Sequence, residues 1–368
     1  MEQRTQKKLR LLFTGGGTLG SVTPLLAIYE ELQKRHVVSG ATTLWIGTRK
    51  GVEEQLIREY MIPFRWIYAG KLRRYFSLRN FLDPFLLCLG LFQSLYRVAR
   101  FRPDVIVGAG GYVSVPVMYA GWFWKKKICI FQLDIEPTLS NLIVSRIANA
   151  IGVACEEEVH FFPKTKTSLV GIPVREAIRQ CGTHERNHLR KTIGVTDSLP
   201  VMLALGGGTG SLGLNTILAQ SVSELSKNMH IFHITGHNKQ TISHDHQERY
   251  HHIELAGKEL PALMAAADVV VTRAGLGTLS ELSYLGKPTI IIPLPNSHQE
   301  RNAAFFEKKG GARYLGERYC TPEKFVRVIR TVLQNADEQK MLSGIISQMF
   351  PRTSHELCAN LVQETAHI

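Results

Sequence analysis

Five short runs in this 368-residue chain hold the residue types that phosphate and sugar chemistry requires. Gly15-Gly16-Gly17-Thr18-Leu19-Gly20 lies between a short apolar run and a helical pattern. Glycines let backbone N–H groups approach an anion, and the positive end of the next helix favours negative charge. Gly206-Gly207-Gly208-Thr209 repeats the first tetrapeptide in the same strand-to-helix setting. Gly108-Ala109-Gly110-Gly111-Tyr112-Val113-Ser114 is a third such loop and adds the Ser114 hydroxyl. Two anion-ready loops in the first half suit a diphosphate-bearing substrate. Arg273-Ala274-Gly275-Leu276-Gly277-Thr278-Leu279-Ser280-Glu281 puts a carboxylate just past a glycine turn. With a helix starting near Thr278, Glu281 is expected in its first turn, facing a cleft. There it can accept both hydroxyls of a ribose, or merely complement the helix dipole. In residues 293–303, His298, Gln299 and Asn302 can hydrogen-bond sugar hydroxyls; the same run also reads as a solvated loop and helix cap.

The first loop formally matches the dinucleotide-binding pattern GxGxxG. That chemistry wants an acid at the end of the next strand to hold a ribose. The strand instead ends Ile46-Gly47-Thr48-Arg49, where Arg49 could favour a 2′-phosphate. A purely structural tight turn is the other reading of these glycines.

The elements that must position these runs alternate in type. Strands are expected at residues 9–14, 43–47, 104–107 and 127–132, with helices at 24–34 and 52–60. The pattern then restarts, with strands at 200–205, 230–235, 269–272 and 289–293 and helices at 214–226 and 278–285. Strands alternating with helices predict an α/β protein with doubly wound parallel sheets. Pro173, Gly182, Gly194 and Pro200 punctuate the stretch between the halves. The domains are therefore read as 1–172 and 173–368, with the last helix free to pack back on the first domain. Two such domains, each opening on a glycine loop, suggest sheets facing each other across a cleft, with ligands beyond the carboxyl ends of the strands.

The formal charge is +13. Residues 1–170 carry 23 Lys and Arg against 13 Asp and Glu, so the first half holds most of the positive field. Nucleic acid, an anionic membrane or a phosphorylated substrate could answer it. No helix-turn-helix, zinc-finger or RNA-recognition pattern is present, which argues against nucleic acid. Lys71, Arg73, Arg74 and Arg79 precede the apolar stretch 81–96, which contains Phe85 and Phe92. Asp83, Pro84 and Gln93 interrupt it, so it is expected to lie on a membrane surface rather than span one. A helix buried in the domain core is the competing reading. The six cysteines show no CxxC spacing and read as reduced, buried thiols. Seven of the fourteen histidines fall within residues 230–252, at spacings that fit no standard zinc pattern.

Taken in order, the glycine loops, the Gly110-Gly111-Tyr112-Val113-Ser114 run, Val170-Gly171-Ile172-Pro173-Val174-Arg175, the RxGxxTxSE run and His298-Gln299 with Asn302-Ala303 resemble the MurG-type N-acetylglucosaminyltransferases of glycosyltransferase family 28. The likeness covers nearly the whole chain. It implies a GT-B fold and metal-independent, inverting transfer of N-acetylglucosamine from its UDP form, with no cofactor. The acceptor would be a polyprenyl-pyrophosphate-linked sugar, lipid I, at the cytoplasmic face of the plasma membrane, where the enzyme sits peripherally. Glu281 would hold the ribose, Gly275, Leu276 and Thr278 face the diphosphate, and His298, Gln299 and Asn302 face the sugar. Thr18, Arg175, Gly208 and Thr209 complete the donor side, with uracil near residues 256–260. Gly17, Gly20, Gly110, Gly111, Tyr112 and Ser114 would form the acceptor side.

The donor side departs once, where Gly208-Thr209 replaces the usual Ser-Gln of the second-domain loop, and the acceptor side departs more. Where the family's first loop reads GGTGGH, this chain has Leu19 for a glycine and Ser21 for the histidine. The family's HEQN aligns with Phe131-Gln132-Leu133-Asp134. A general base contributes about 10²–10⁴-fold. Asp134, just past a strand, is the expected base; Ser21 is a poor one, Glu136 stands in reserve, and Asp134 could equally cap the helix before Leu139. These departures leave open a related transferase with another lipid acceptor, or a UDP-sugar-binding scaffold weakened in catalysis.

Overall fold

The computed structural model describes residues 8–49, 51, 53–70, 79–208, 210–240 and 248–367. Contacts divide the chain into two units, Met1–Pro173 with Pro351–Ile368, and Val174–Phe350. In the first, β1 (Leu11–Thr14), β2 (Thr43–Thr48), β3 (Phe64–Ile67), β4 (Val105–Gly108), β5 (Lys127–Gln132), β6 (Ala150–Val153) and β7 (Thr167–Leu169) form one sheet in the order 3-2-1-4-5-6-7. Every pairing is parallel. Its central strands are unbroken apolar runs because helices cover both faces, and Leu11, Leu12, Phe13, Val105, Ile106 and Val107 have no exposed surface. The helix Ser354–His367 packs on this unit through Cys358, Ala359 and Val362, and Arg35 Nη1 donates to Asn360 Oδ1 at 2.6 Å.

The second unit repeats the plan. Here β8 (Val201–Leu205), β9 (His230–Ile234), β10 (Tyr250–Ile253), β11 (Val269–Thr272), β12 (Thr289–Ile291) and β13 (Arg313–Tyr314) run parallel in the order 10-9-8-11-12-13. In both sheets the strand order reverses beside the first strand, between β1 and β4 and between β8 and β11. Ligands of doubly wound folds bind at that reversal, beyond the carboxyl ends of the strands. All four glycine-bearing runs leave those four strands. The expected α/β class with two parallel-sheet, Rossmann-like domains is the observed one.

Candidate active site

In the first unit Thr14 of β1 lies opposite Gly108 of β4, so the two glycine loops emerge side by side. Gly111 has φ +86°, and a Cβ there would come within 3.3 Å of the Gly16 carbonyl oxygen. Gly17 also has φ +86°, with Tyr112 the nearest side chain to its missing Cβ. Two buried groups brace the first loop. Trp45 Nε1 donates to the Gly15 carbonyl at 3.0 Å. Glu53 accepts from Thr48 N at 2.7 Å, from Thr48 Oγ1 at 2.6 Å and from Gly17 N at 3.2 Å. Gly17, Thr18 and Gly20 are exposed. Ser114, expected to offer its hydroxyl to a ligand, is buried and donates to the Gly111 carbonyl at 2.7 Å, so it fixes the loop instead. The Ser21 Oγ is buried, with no hydrogen-bond partner among the described residues.

The loop after β5 adjoins the same site: the nearest atom to a Cβ on Gly110 would be Thr138 Oγ1. Gln132, fully buried, shapes this loop. Its Nε2 donates to the carbonyls of Asp134 (2.7 Å) and Glu136 (2.9 Å), while Asn141 Nδ2 donates to its Oε1 at 2.7 Å. Asp134 is not the helix cap that the sequence allowed. Thr138 caps the helix Leu139–Val144, accepting from Asn141 N. Glu158, past β6, is fully buried and accepts from Ala154 N at 2.9 Å and from Cys155 Sγ. Burial first, and the charges of Asp134 and Glu157 after it, push its carboxyl up to about 8, against the hydrogen bond from Ala154.

In the second unit the turn after β11 leads into the helix Leu276–Leu285, with Gly275 at its N-cap. The helix starts two residues earlier than expected, which moves Glu281 from the first turn to the second. There it is buried, and its Oε1 accepts from Arg175 Nε at 2.7 Å. A Cβ on Gly275 or Gly207 would meet nothing within 4 Å, so these backbones border open space. Arg273 is the hidden strut of this site. It donates to Ser211 Oγ, the cap of the helix Leu212–Leu225, and to the carbonyls of Ile292 and Pro293, and it pairs with Glu317. One buried guanidinium thus ties the ends of three strands. Leu276 buries its side chain, so only its backbone can face a ligand, whereas Thr278 is half-buried.

Asn302, expected to face the sugar, has no exposed surface, and its Nδ2 donates to the Ala274 carbonyl at 2.9 Å. It supports the glycine turn. His298 is exposed and immediately precedes the helix Gln299–Lys309, with no capping bond from its side chain; the Gln299 Oε1 accepts from Leu294 N at 3.1 Å. Gly208 is exposed, and Thr209 lies outside the described residues.

Comparison with known proteins bears on the whole chain. The model of the glycosyltransferase family 28 N-terminal domain matches residues 11–153, and that of the family's C-terminal domain matches residues 201–356. A Bacillus cereus protein named UDP-N-acetylglucosamine–N-acetylmuramyl-(pentapeptide) pyrophosphoryl-undecaprenol N-acetylglucosamine transferase 2 is 35% identical over 90% of this chain and 93% of its own length. The chain belongs to glycosyltransferase family 28. A Legionella pneumophila relative, the corresponding transferase by name, is 31% identical over 97% of both chains. The crystal structure of Acinetobacter baumannii MurG superposes with a TM-score of 0.69 at 21% identity, covering 96% of this chain and 99% of that one.

For a family 28 protein the remaining surface is informative. Arg73 and Arg74 lie outside the described residues, as does the side chain of Arg79. Phe85 and Phe92, on the helix Arg79–Phe101, are 74% and 69% exposed, which rules out burial of that face in the core. Sequence reasoning missed a second part of this patch. Trp122, Phe123 and Trp124 end the helix Ser114–Phe123 and its cap, all exposed, followed by Lys125, Lys126 and Lys127. Trp124 Nε1 donates to the Leu95 carbonyl at 3.1 Å, which joins the two helices. Three aromatics running into three lysines were the signal. No helix among the described residues is long and apolar enough to cross a membrane.

Proposed function

We propose that this chain transfers N-acetylglucosamine from UDP-N-acetylglucosamine to N-acetylmuramyl-pentapeptide pyrophosphoryl-undecaprenol, with inversion, while bound peripherally at the cytoplasmic face of the plasma membrane. The observation that carries the reading is 35% identity, sustained over 90% of the chain, to a transferase named for that reaction. The nucleotide sits on the second unit. The helix N-terminus at residues 275–278 receives the diphosphate, where free N–H groups stabilise charge developing on the departing UDP. Glu281 keeps Oε1 on Arg175 and offers Oε2 to the ribose. His298 and Gln299 face the sugar; Arg273 and Asn302 hold the frame.

The acceptor pyrophosphate lies over the paired glycine loops of the first unit, and Asp134 takes the proton of the attacking hydroxyl. The second and fourth positions of the family's HEQN are a carboxylate and an amide, and in this chain Gln132 and Asp134 reverse them. Gln132 donates to two loop carbonyls, which a carboxylate cannot do, and Asp134 supplies the base. Phe85, Phe92, Trp122 and Phe123 enter the lipid interface, with the lysines at 125–127 on anionic headgroups.

Incubation of the protein and labelled UDP-N-acetylglucosamine with a short-chain analogue of the lipid acceptor tests the reading. Product with inverted linkage is expected. UDP-sugar binding without product would move the acceptor to another lipid.

A further inference from the structure

Arg49 follows β2 directly and takes no part in the chemistry above. Its guanidinium lies over two aromatic rings, with Cζ 5.2 Å from the Trp66 centroid and 5.5 Å from that of Tyr68. Trp66 and Tyr68 are two residues apart in and just past β3, where alternate side chains share one side. Their rings meet edge to face at 5.3 Å. Arg49 Nη1 also donates to the Tyr68 hydroxyl at 3.0 Å. A guanidinium has five N–H donors in a rigid fork. The two cation–π contacts and this single bond therefore anchor the guanidinium and engage one of its five donors.

No carboxylate among the described residues pairs with Arg49. Glu53, close in sequence, is buried and committed to Thr48 and Gly17. Further positive charge flanks the same strand. Arg65 belongs to β3, and Arg97 Nη2 donates to the Trp66 carbonyl at 3.0 Å. Burial first, then the charge of Arg65, hold the Arg97 guanidinium below its ordinary value.

Its position names the ligand. The ends of β2 and β3 belong to the carboxyl edge of the sheet, and Thr48 shares Glu53 with Gly17 of the first glycine loop. Arg49 is thus the neighbour of the loop assigned to the acceptor. We propose that Arg49, anchored by Trp66 and Tyr68, binds an oxyanion of the acceptor, either a phosphate or a peptide carboxylate, and so sets acceptor affinity. This rests on the acceptor assignment made under the proposed function.

Steady-state kinetics of Arg49→Gln and Arg49→Lys with a water-soluble acceptor analogue test it. Arg49 is exposed, so neither change disturbs the core. The acceptor KM should rise about tenfold in Arg49→Gln, the scale of one lost charge-assisted hydrogen bond. Arg49→Lys should recover part of it, because an ammonium lacks the planar fork. Donor KM and kcat should not move. A second analogue, lacking the peptide but keeping the pyrophosphate, separates the sources. A penalty that persists assigns the phosphate, and one that disappears assigns the peptide carboxylate. An unchanged acceptor KM in Arg49→Gln overturns the proposal. So does weaker binding to anionic vesicles with acceptor KM intact, which would give Arg49 to the membrane. Should wild type show no transfer, the functional reading fails instead, and equilibrium binding of both analogues to wild type and Arg49→Gln still decides the role of Arg49.

Discussion

Arg175 Nε donates to Glu281 Oε1 at 2.7 Å, joining two residues 106 positions apart. The side chains are 16% and 7% exposed, so neither charge can turn fully to water. Breaking such a pair leaves the survivor desolvated without its compensating charge. Glu281→Gln should therefore lower unfolding stability by about 1–3 kcal/mol. It should also weaken UDP binding about tenfold or more, because the same carboxylate is proposed to hold the ribose. Thermal unfolding and calorimetric titration with UDP measure the two effects separately. Lost stability with UDP affinity unchanged would make Glu281 a structural partner of Arg175 and nothing more.

Asp134→Asn keeps shape and removes basicity. Turnover should fall by about 10²–10⁴-fold with donor KM nearly constant. The loop offers an independent check in Gln132→Glu, which replaces the amide donating to the Asp134 and Glu136 carbonyls with a group that can only accept. That variant should also lose turnover, by misplacing an intact Asp134. Wild-type rates in Asp134→Asn would remove this residue as the base.

The strands that carry the site could be read in advance because they are buried on both faces. The extents of β5 and β11 agree with expectation to the residue, and β1, β4 and β8 to within two. What escaped was polar, short or built of small residues. Strand β10 is Tyr-His-His-Ile at a sheet edge, β3 has Arg65 pointing to water, and β6 contains Ala150 and Gly152. In the site, the glycine runs and Glu281 were visible because backbone approach and charge leave a local signature. The supporting roles of Arg273, Glu53 and Asn302 were not, since each reaches a loop partner 19 to 62 residues away. A motif shows that a residue matters, and only its long-range partners show whether it touches ligand or holds the frame.

Membrane attachment should depend on Trp122 and Phe123. They are 57% and 62% exposed, so Trp122→Ala with Phe123→Ala spares the core while removing interfacial aromatic area. Partition onto vesicles containing anionic lipid should fall at least tenfold. Lys125→Glu with Lys126→Glu should weaken it by about 1 kcal/mol per reversed charge or more and reduce its salt sensitivity. Trp124 should be left in place, because its indole joins two helices. Undiminished partition in both double variants would place the attachment elsewhere.

Acid sensitivity should arise in part from His233. The Asn215 amide donates to the Thr235 and Lys239 carbonyls, so its Oδ1 faces His233 Nε2 and fixes that nitrogen as the protonated one. The ring's Nδ1 then accepts from the Tyr250 hydroxyl at 2.9 Å. Burial first, and the charge of His252 second, pull His233 down to about 3 from an ordinary 6.5. Between those values the unfolded chain binds a proton that the folded chain refuses, so stability rises with pH through this window. The contribution is complete above about pH 6.5 and is lost as the pH falls toward 3. Lys239 Nζ donates to the Gly210 carbonyl at 3.1 Å, so the network reaches the second-unit glycine loop, and UDP affinity should weaken over the same range. In His233→Gln, which can still donate to Asn215 but does not titrate, the fall in urea midpoint between pH 6.5 and 4 should be shallower, by on the order of 1–2 kcal/mol in stability. An unaltered slope would mean that other groups carry the acid sensitivity.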